Sequence, residues 1–483
     1  MKIVIIGAGL SGLTAALALQ KYLPPKLPSN DPLEIKIYDE SETKAPGTVE
    51  YSWRDHSDIH RQQKAEQESG NKKKNQGAAI SLQQNAFKSL REIDPDLANR
   101  VHASGLPCKG FTWKSRGDWL LGREDLEACL ISRPVIVGIL MEALCERGVR
   151  VVYRSVREVE CREGVKPVVR FLGEDDEEEV ADLVVGADGI RSVVRKSVFG
   201  DREGVRPVYL YVVMFPCSSD SPPLLFGPGT NHHHYSGNCA VGGVLDLPKS
   251  TPLPETYFAD PRITFIHGPT GTFGYGGLSQ TSPNKIIFFS FYDSDLPARG
   301  SKPDPQQVTE ALRKRHQGWA DPMIAQCLAQ TDAIDTVYPI FYMPDLPSWG
   351  RDGCVLVGDA AHAMTPATGQ GGSQAIEDGL TLALLLRTFI EVREGDHETA
   401  IRDIVPGLHA IRAEHVYAIK RAGLAIKEPA RPWGWLTTLA VYGFYFVMTK
   451  VKLIKGLFGE PVYPAHLFDV RGEVERYVDA RSR

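Results

Sequence analysis

Lys2-Ile-Val-Ile-Ile6, followed at once by Gly7-Ala-Gly9-Leu-Ser-Gly12 and the apolar stretch Leu13 to Tyr22, is the segment that decides the fold. A β-branched run predicts a buried strand, the glycines a turn, and the stretch after them a helix. Gly7 makes the tight turn, Gly9 lets backbone approach a pyrophosphate, and Gly12 permits close packing of helix on strand. The helix start offers unpaired N–H groups and the positive end of its dipole to phosphate. A second strand, Glu34-Ile-Lys-Ile-Tyr38, ends in Asp39-Glu40, where an acid accepts hydrogen bonds from ribose hydroxyls. Asp39 is the better register match and Glu40 the alternative. A glycine turn serving packing alone is the competing reading, and the order strand, turn, helix, strand, acid argues against it. At this point NAD and FAD both remain open.

The chain has 483 residues, more than a single hydrophobic core usually serves, which predicts two domains or one with a large insert. A formal charge of -5 argues against nucleic-acid binding by phosphate neutralisation and leaves small-molecule chemistry. The eight cysteines (Cys108, Cys129, Cys145, Cys161, Cys217, Cys239, Cys327 and Cys354) show no CxxC pair and no ligand spacing. They are read as reduced, mostly buried thiols. Lys2 leads straight into a strand with none of the parts of a secretory signal, so the catalytic body is expected in the cytoplasm.

Two later segments repeat the pattern of apolar strand and polar turn. Residues 180 to 195 read Val-Ala-Asp-Leu-Val-Val-Gly-Ala-Asp188-Gly189-Ile-Arg191-Ser192-Val-Val-Arg195. Residues 354 to 378 read Cys-Val-Leu-Val-Gly358-Asp359-Ala-Ala-His362-Ala-Met-Thr-Pro366-Ala-Thr-Gly369-Gln-Gly371-Gly372-Ser373-Gln-Ala-Ile-Glu-Asp378, and an apolar helix follows. These segments resemble the DG and GD motifs of the para-hydroxybenzoate hydroxylase family of FAD-dependent monooxygenases, in its fungal secondary-metabolism form. Members of that family carry both motifs after the N-terminal GxGxxG, in this order. The resemblance extends to Gly77-Ala-Ala79-Ile-Ser-Leu-Gln-Gln-Asn85 and to Arg133-Pro-Val-Ile-Val-Gly-Ile-Leu140, similar to the family's flavin-contacting helix, and covers roughly residues 1 to 425. Arg123-Glu-Asp-Leu126 fits the arginine spacing too; Arg133 is preferred because the helix-to-strand order continues to Val149. Ser373 stands where the family usually has asparagine, and Ala79 where glycine is common.

The resemblance implies FAD as cofactor and NAD(P)H as co-substrate, held by Gly7, Gly9, Gly12, Asp39 or Glu40, Ala79, Arg133, Asp188, Asp359, Pro366, Gly369, Gly371 and Gly372. Asp359, directly after a strand, would accept a ribityl hydroxyl. The glycines at 369, 371 and 372 would bring backbone N–H groups to the flavin's pyrimidine edge, and Pro366 would shape the oxygen pocket. Asp188 is also readable as a plain helix cap, although Asp-Gly followed by two arginines suits cofactor handling better, and His362 is read as a packed structural histidine in preference to a catalytic one. The implied reaction is hydroxylation or epoxidation of a small aromatic or polyene substrate by O2 through a C4a-hydroperoxyflavin. Arg191, able to pair with a substrate phenolate, is the first catalytic candidate, with a phosphate or helix-cap contact as the equal alternative; Tyr211 is the second, with Tyr209 pointing to the opposite strand face. No second strand-linked GxGxxG is present, so NAD(P)H is expected to bind transiently. A flavin halogenase would need a Trp-x-Trp-x-Ile-Pro segment in mid-chain, and Trp433-Gly-Trp435 is too late and lacks Ile-Pro. A non-catalytic FAD-fold carrier is the reading from another class, and the intact GD motif speaks against it.

The expected architecture is α/β: a Rossmann-like FAD-binding domain interleaved with a mostly β substrate domain, plus C-terminal helices. Residues 1–202 form the first part of the FAD domain, 203–348 the β-rich substrate domain, 349–425 the second FAD part and 426–483 a helical segment. Residues 42–76, with Lys72 to Lys74, predict a disordered surface insertion. The run Glu174 to Glu179 predicts a solvated hairpin tip. His232, His233 and His234 are read as loop or pocket histidines and no metal site is expected, because adjacent strand residues face opposite ways. Pro432 to Thr449 has no charge, many aromatics and Lys450, Lys452 and Lys455 behind it, yet falls short of the ~20 residues of a spanning helix. A helix docked on the substrate domain, an interfacial membrane anchor and a membrane span rank in that order.

Overall fold

The computed structural model describes residues 1–25, 32–40, 79–173, 177–200, 232–248, 253, 255–297, 304–331, 337–425, 434–450 and 465–482. The expected insertion at 42–76, the segment with Tyr209 and Tyr211, Trp433, Lys452 and Lys455 lie outside them.

The β-branched runs form a parallel sheet, buried on both faces as such sheets must be. Its centre is β1 (Lys2–Ile6), flanked by β2 (Glu34–Asp39) and β6 (Val151–Tyr153) on one side, and by β10 (Leu183–Gly186) and β17 (Cys354–Leu356) on the other. The two-residue β16 (Gly350–Arg351) closes the edge antiparallel. Ile6 is in register with Tyr38 and Gly186, and Gly186 with Leu356, so β1, β2, β10 and β17 end along one carboxyl edge. The Gly7 turn, Asp39, the Asp188 turn and the Asp359 turn all emerge there, where open α/β sheets bind ligands.

Helix α1 (Leu10–Tyr22) follows the glycine turn and is crossed by α2 (Gly371–Val392). A Cβ on Gly379 would lie 2.7 Å from the Ala15 nitrogen, so the two backbones touch at glycine opposite alanine. Helix α3 (His397–Ala425) packs on α2 from outside.

The second sheet has eight strands in the order β15 (Tyr338–Tyr342), β11 (His234–Asp246), β14 (Lys285–Asp293), β13 (Gly271–Gly277), β12 (Ile263–Gly268), β4 (Leu106–Ser115), β5 (Leu120–Ser132), β3 (Ala79–Gln83). Three of them come from residues 79–132, ahead of the boundary expected at 203, so this sheet is assembled from two stretches of chain. One face packs Phe273, Ile286 and Phe288 against the helices Pro305–Arg315 and Pro322–Ala329. The other face carries a row of rings: Trp113 stacks on Phe265 at 4.9 Å, Phe265 meets Phe289 at 5.5 Å, and Phe289 meets Phe291 at 5.2 Å. Gly274 makes room for the row, since a Cβ there would stand 2.1 Å from the Phe289 ring.

A small third sheet joins β7 (Val156–Arg162), β8 (Val165–Phe171) and β9 (Glu178–Val180). Here Glu179 departs from the solvated tip expected of the acidic run. Its carboxylate is 2.8 Å from Lys2 Nζ and 2.6 Å from Lys36 Nζ and accepts from the Tyr38 hydroxyl. Burial opposes its charge, but these three donors hold its pKa down to about 2. The acid is recruited because β9 carries it onto the lysine-bearing face beside β1 and β2, a pairing distant in sequence.

Helix α4 (Trp435–Lys450) lies against β5, and its Tyr442 hydroxyl donates to the His267 carbonyl at 2.9 Å and accepts from Arg116 N–H at 3.3 Å. At 16 residues it is about 24 Å long. Among the described residues no helix is long and apolar enough to cross a membrane.

Candidate active site

The glycine turn is a steric necessity. Gly7 has φ +107°, and a Cβ there would meet the Ala187 carbonyl oxygen at 2.3 Å. A Cβ on Gly12 would stand 1.9 Å from the Gly7 carbonyl oxygen, whereas one on Gly9 would have nothing within 4 Å. Two glycines therefore close the turn on the sheet and the third leaves an open cradle in front of α1. The Asp39 carboxylate accepts a hydrogen bond from Ala8 N–H inside this turn. Burial raises its pKa, while the backbone donors and the nearby Arg133 favour the charged form. Glu40 next to it is exposed. Arg133 opens the helix Arg133–Glu146 on the Asp39 side, whereas Arg123 sits on β5, 3.6 Å from Asp260.

At the second turn, Asp188 Oδ2 accepts from Val193 N–H at 2.6 Å and Val194 N–H at 3.2 Å, so this side chain caps the helix Val193–Phe199. Arg195 is buried and donates to the Ala360 and Ile190 carbonyls, binding the Asp188 turn to the Asp359 turn. Burial lowers its pKa to about 10. Arg191 is exposed. Facing it at the start of β11 is His233, whose ring meets Phe341 edge-on at 4.9 Å. Burial, then the charges of Arg195 and Arg191, lower the His233 pKa to about 4. Tyr211 lies outside the described residues.

The third turn presses on the first. A Cβ on Gly358 would be 2.7 Å from Ser11 Oγ, and one on Gly372 would be 3.4 Å from Leu10 Cδ1. Asp359 is exposed at the first position of the short helix Asp359–His362. Pro366 is exposed and starts the turn Pro366–Thr368, which ends at Gly369 with φ +64°. Gly371, the first residue of α2, has only Met364 near its Cβ position, at 3.9 Å, so the helix start is open. Ala79 belongs to β3, whose Ser81 and Gln83 on the same strand face flank Gly369. Ser373 Oγ accepts from Gln83 N–H at 3.2 Å and so ties α2 to β3.

Beneath this turn lies a buried polar network that the sequence reading did not pick out. Gln83 donates to Thr368 O at 3.0 Å, and Gln370 donates to Gln83 Oε1. Asn85 donates to Gln370 at 3.1 Å and to Glu377 at 2.9 Å. Arg412 of α3 lies 3.0 Å from Asp378 Oδ1 and 2.7 Å from Glu377 Oε2, the latter a close but poorly aligned ion pair. His362 Nε2 is 2.5 Å from Asp378 Oδ2, which also accepts from Gly358 N–H, so His362 is a packed structural histidine. Burial works against the Asp378 charge, yet His362 and Arg412 hold its carboxyl below the usual range. The signal was present as Gln370, Gln374, Glu377 and Asp378 at helical spacing in an otherwise apolar segment, with Arg412 one helix later.

Three turns thus meet around the start of α1, with two exposed helix N-termini, an acid at a strand end and an exposed carboxylate at Asp359. This donor set fits FAD: the open space before Gly9 and the start of α1 could take a pyrophosphate, the acid at the end of β2 and the exposed Asp359 carboxylate could take sugar hydroxyls, and the open start of α2 could face a ring edge.

The profile of the FAD binding domain family matches residues 67–400. Among curated proteins, chloroplastic zeaxanthin epoxidase of Solanum lycopersicum is 25% identical over 399 residues, covering 80% of this chain and 48% of that protein. The chain thus spans about half the length of the curated relatives it matches. Among solved structures, Klebsiella pneumoniae HpxO complexed with FAD and uric acid superposes with TM-score 0.65 at 19% identity, over 95% of this chain and 96% of that one. CtdE in complex with FAD and its substrate superposes with TM-score 0.67 at 15% identity, over 100% of both chains.

Proposed function

The chain belongs to the FAD binding domain family, and from that premise we propose that it is a flavin-dependent monooxygenase that uses NAD(P)H and O2 to hydroxylate or epoxidise a flat, apolar small molecule. The observation that carries this reading is the meeting of the three turns: Gly7 against Ala187, Gly358 against Ser11 and Gly372 against Leu10. Such convergence supports a single dinucleotide lying across the carboxyl edge of the sheet.

FAD, reduced by NAD(P)H, supplies an electrophilic oxygen atom from O2 when bound. The chain's own residues do the rest. The open Gly9 face and the start of α1 would hold the pyrophosphate, Asp39 the ribose and Asp359 the ribityl hydroxyls. Backbone N–H groups at Gly371 and Gly372 would favour negative charge on a flavin held there, and the Gln83–Gln370–Asn85 network would fix the direction of this helix start. The ring row Trp113, Phe265, Phe289 and Phe291, on the sheet face reached from the Gly369 turn through β3, supplies an apolar wall that suits an aromatic or polyene substrate and excludes water. Arg191 pairs with an anionic form of the substrate, with Tyr211 as a second polar group. Likeness to zeaxanthin epoxidase by name favours a polyene, and likeness to HpxO with uric acid a heteroaromatic ring. The test is NAD(P)H oxidation by the purified yellow protein with candidate aromatics and polyenes. Substrate-accelerated oxidation with an oxygenated product supports the reading; a protein that holds no FAD, or only releases peroxide with every candidate, refutes it.

Helix α4 adds a peripheral membrane contact to this reading. Its half-buried side carries Thr438, Val441 and Tyr442, while Trp435 is 72% exposed, Leu436 64%, Leu439 56% and Phe446 53%. Trp119 and Leu120, in the turn and strand beside it, are exposed too. Exposed Trp and Leu on a docked helix, followed in sequence by lysines, suit the headgroup boundary of an anionic bilayer. Co-sedimentation with phosphatidylserine vesicles, lost in Trp435→Ser/Leu439→Ser, tests it; no binding by the parent protein refutes it.

A further inference from the structure

Cys161 on β7 and Cys354 at the start of β17 are 193 positions apart in sequence, yet their Sγ atoms are 2.7 Å apart. The two strands belong to different sheets, and both are anchored where they meet. Cys354 is in register with Val184 of β10, and Gly353 beside it packs on Pro167, 3.0 Å from a Cβ position. A disulfide has an S–S bond of about 2.0 Å, so closure asks for a shift of under an ångström. Cys161 is half-buried and Cys354 buried, so a small oxidant arriving from solvent meets Cys161 first.

We propose that Cys161 and Cys354 form a peroxide-oxidisable dithiol whose disulfide clamps β7 to β17, the strand that leads into the Asp359 turn. The oxidant is hydrogen peroxide. The Cys161 thiolate attacks one peroxide oxygen, the O–O bond breaks, hydroxide leaves and Cys161 becomes a sulfenic acid. Cys354 sulfur then attacks the Cys161 sulfur, its proton goes to the departing oxygen, and water leaves as the S–S bond forms. Two thiols and one peroxide give one disulfide and two waters. The roles follow the surroundings. Hydrogen bonding from Cys354, and the Arg351 charge behind it, hold the Cys161 thiol below its usual range against burial, and the same contact holds Cys354 well above it. Clamping the strand ahead of Asp359 stiffens the frame of the site without adding a group to it.

The experiment uses the full chain and added hydrogen peroxide, so it does not depend on flavin turnover. The protein is treated with an equimolar dose, quenched with iodoacetamide and mapped by mass spectrometry without reduction. A peptide pair linked through Cys161 and Cys354, removed by dithiothreitol and accompanied by a rise in the unfolding midpoint, is the expected result. In Cys354→Ser the link should vanish and Cys161 should be trapped by dimedone as the sulfenic acid. Recovery of both cysteines alkylated, oxidation of Cys161 to sulfinic acid without a link, or links through other cysteines at equal yield would each overturn the proposal, and the parent-protein map decides it even where a variant folds poorly.

Discussion

The Arg195 guanidinium donates to the Ala360 carbonyl at 2.7 Å, so one buried cation on the helix after Asp188 holds the loop that carries Asp359. It donates to the Ile190 carbonyl as well, and the two turns are therefore set relative to each other by one side chain. Arg195→Met keeps the length and removes the donors. The expected outcome is a loss of roughly 2–4 kcal/mol in unfolding free energy, from carbonyls left unpaired in the interior, and at least a tenfold weaker FAD affinity by fluorescence titration. Unchanged affinity would mean that the two turns are positioned independently.

The glycine turn separates fold from binding. Gly12→Ala would put a methyl 1.9 Å from the Gly7 carbonyl, so the helix must move off the strand and both stability and FAD retention should collapse. Gly9→Ala meets nothing within 4 Å and sits at φ -79°, so its apoprotein should melt within about 0.5 kcal/mol of the parent. FAD affinity should still fall tenfold or more, because the methyl occupies the space where the pyrophosphate would approach. Apoprotein melts and FAD titrations on the two variants give this contrast or deny it.

What the sequence made legible was local. Strand, glycine turn and terminal acid are short-range patterns, and each appears at the carboxyl edge where the spacing predicts it. Pairings that span the chain were not legible. The recruitment of β3 to β5 into the eight-stranded sheet depends on β4 lying parallel to β12, some 150 residues later, and no periodicity within β4 encodes it. Glu179 read as solvent-facing because its partners Lys2 and Lys36 are about 140 residues or more away. For Asp188 the sequence favours a cofactor contact over a helix cap, and it is the backbone path from Gly189 to Val194, invisible in the motif, that brings the Val193 and Val194 N–H groups onto its carboxylate.

The network under the Gly369 turn rests on Arg412. This fully buried guanidinium faces Glu377 and Asp378, also buried, and Gln374 at 2.6 Å. Arg412→Leu would leave two adjacent carboxyls without their cation, and breaking a buried pair in this way costs about 3–5 kcal/mol. The expected result is that loss in urea unfolding, together with weaker FAD binding as the Gln370 end of the network loosens. A variant as stable as the parent would show that Glu377 is carried in its neutral form at no penalty.

Arg191 should behave differently, because it is exposed and its removal breaks no internal network. Arg191→Ala is expected to retain FAD and fold normally while product formation falls on the order of 100-fold, the scale for losing one stabilising charge at a reacting centre. Parent-like product yield would remove Arg191 from the catalytic list.

Acid sensitivity follows from buried histidines, among them His267, which stacks on Trp113 on the ring-row face of the eight-stranded sheet, and His316, which packs on Phe273 on the opposite face. Burial lowers the pKa of His267 to about 4 and that of His316 to about 3, from an ordinary 6.5. His267 Nδ1 is 2.8 Å from Thr272 Oγ1 and His316 Nε2 is 2.8 Å from Ser290 Oγ, so one nitrogen of each ring has a partner while burial keeps the ring neutral. Between pH 6.5 and about 4 the unfolded chain binds protons at both sites and the folded chain does not, so stability is fully present above pH 6.5 and falls with acidification. Each group can contribute a slope of up to about 1.4 kcal/mol per pH unit. Burial lowers His233 to about 4 and His415 to about 3 in the same sense, while it raises the carboxyls of Asp39, Asp188 and Glu377, which work in the opposite direction. Urea unfolding from pH 7 to 4.5 should therefore show a steepening loss below pH 6, and His316→Gln, which keeps a polar partner for Ser290, should make that loss measurably shallower, by about one histidine's share of the four. A slope unchanged in that variant would place the acid sensitivity elsewhere, with the carboxylates of the Arg412 network as the next groups to examine.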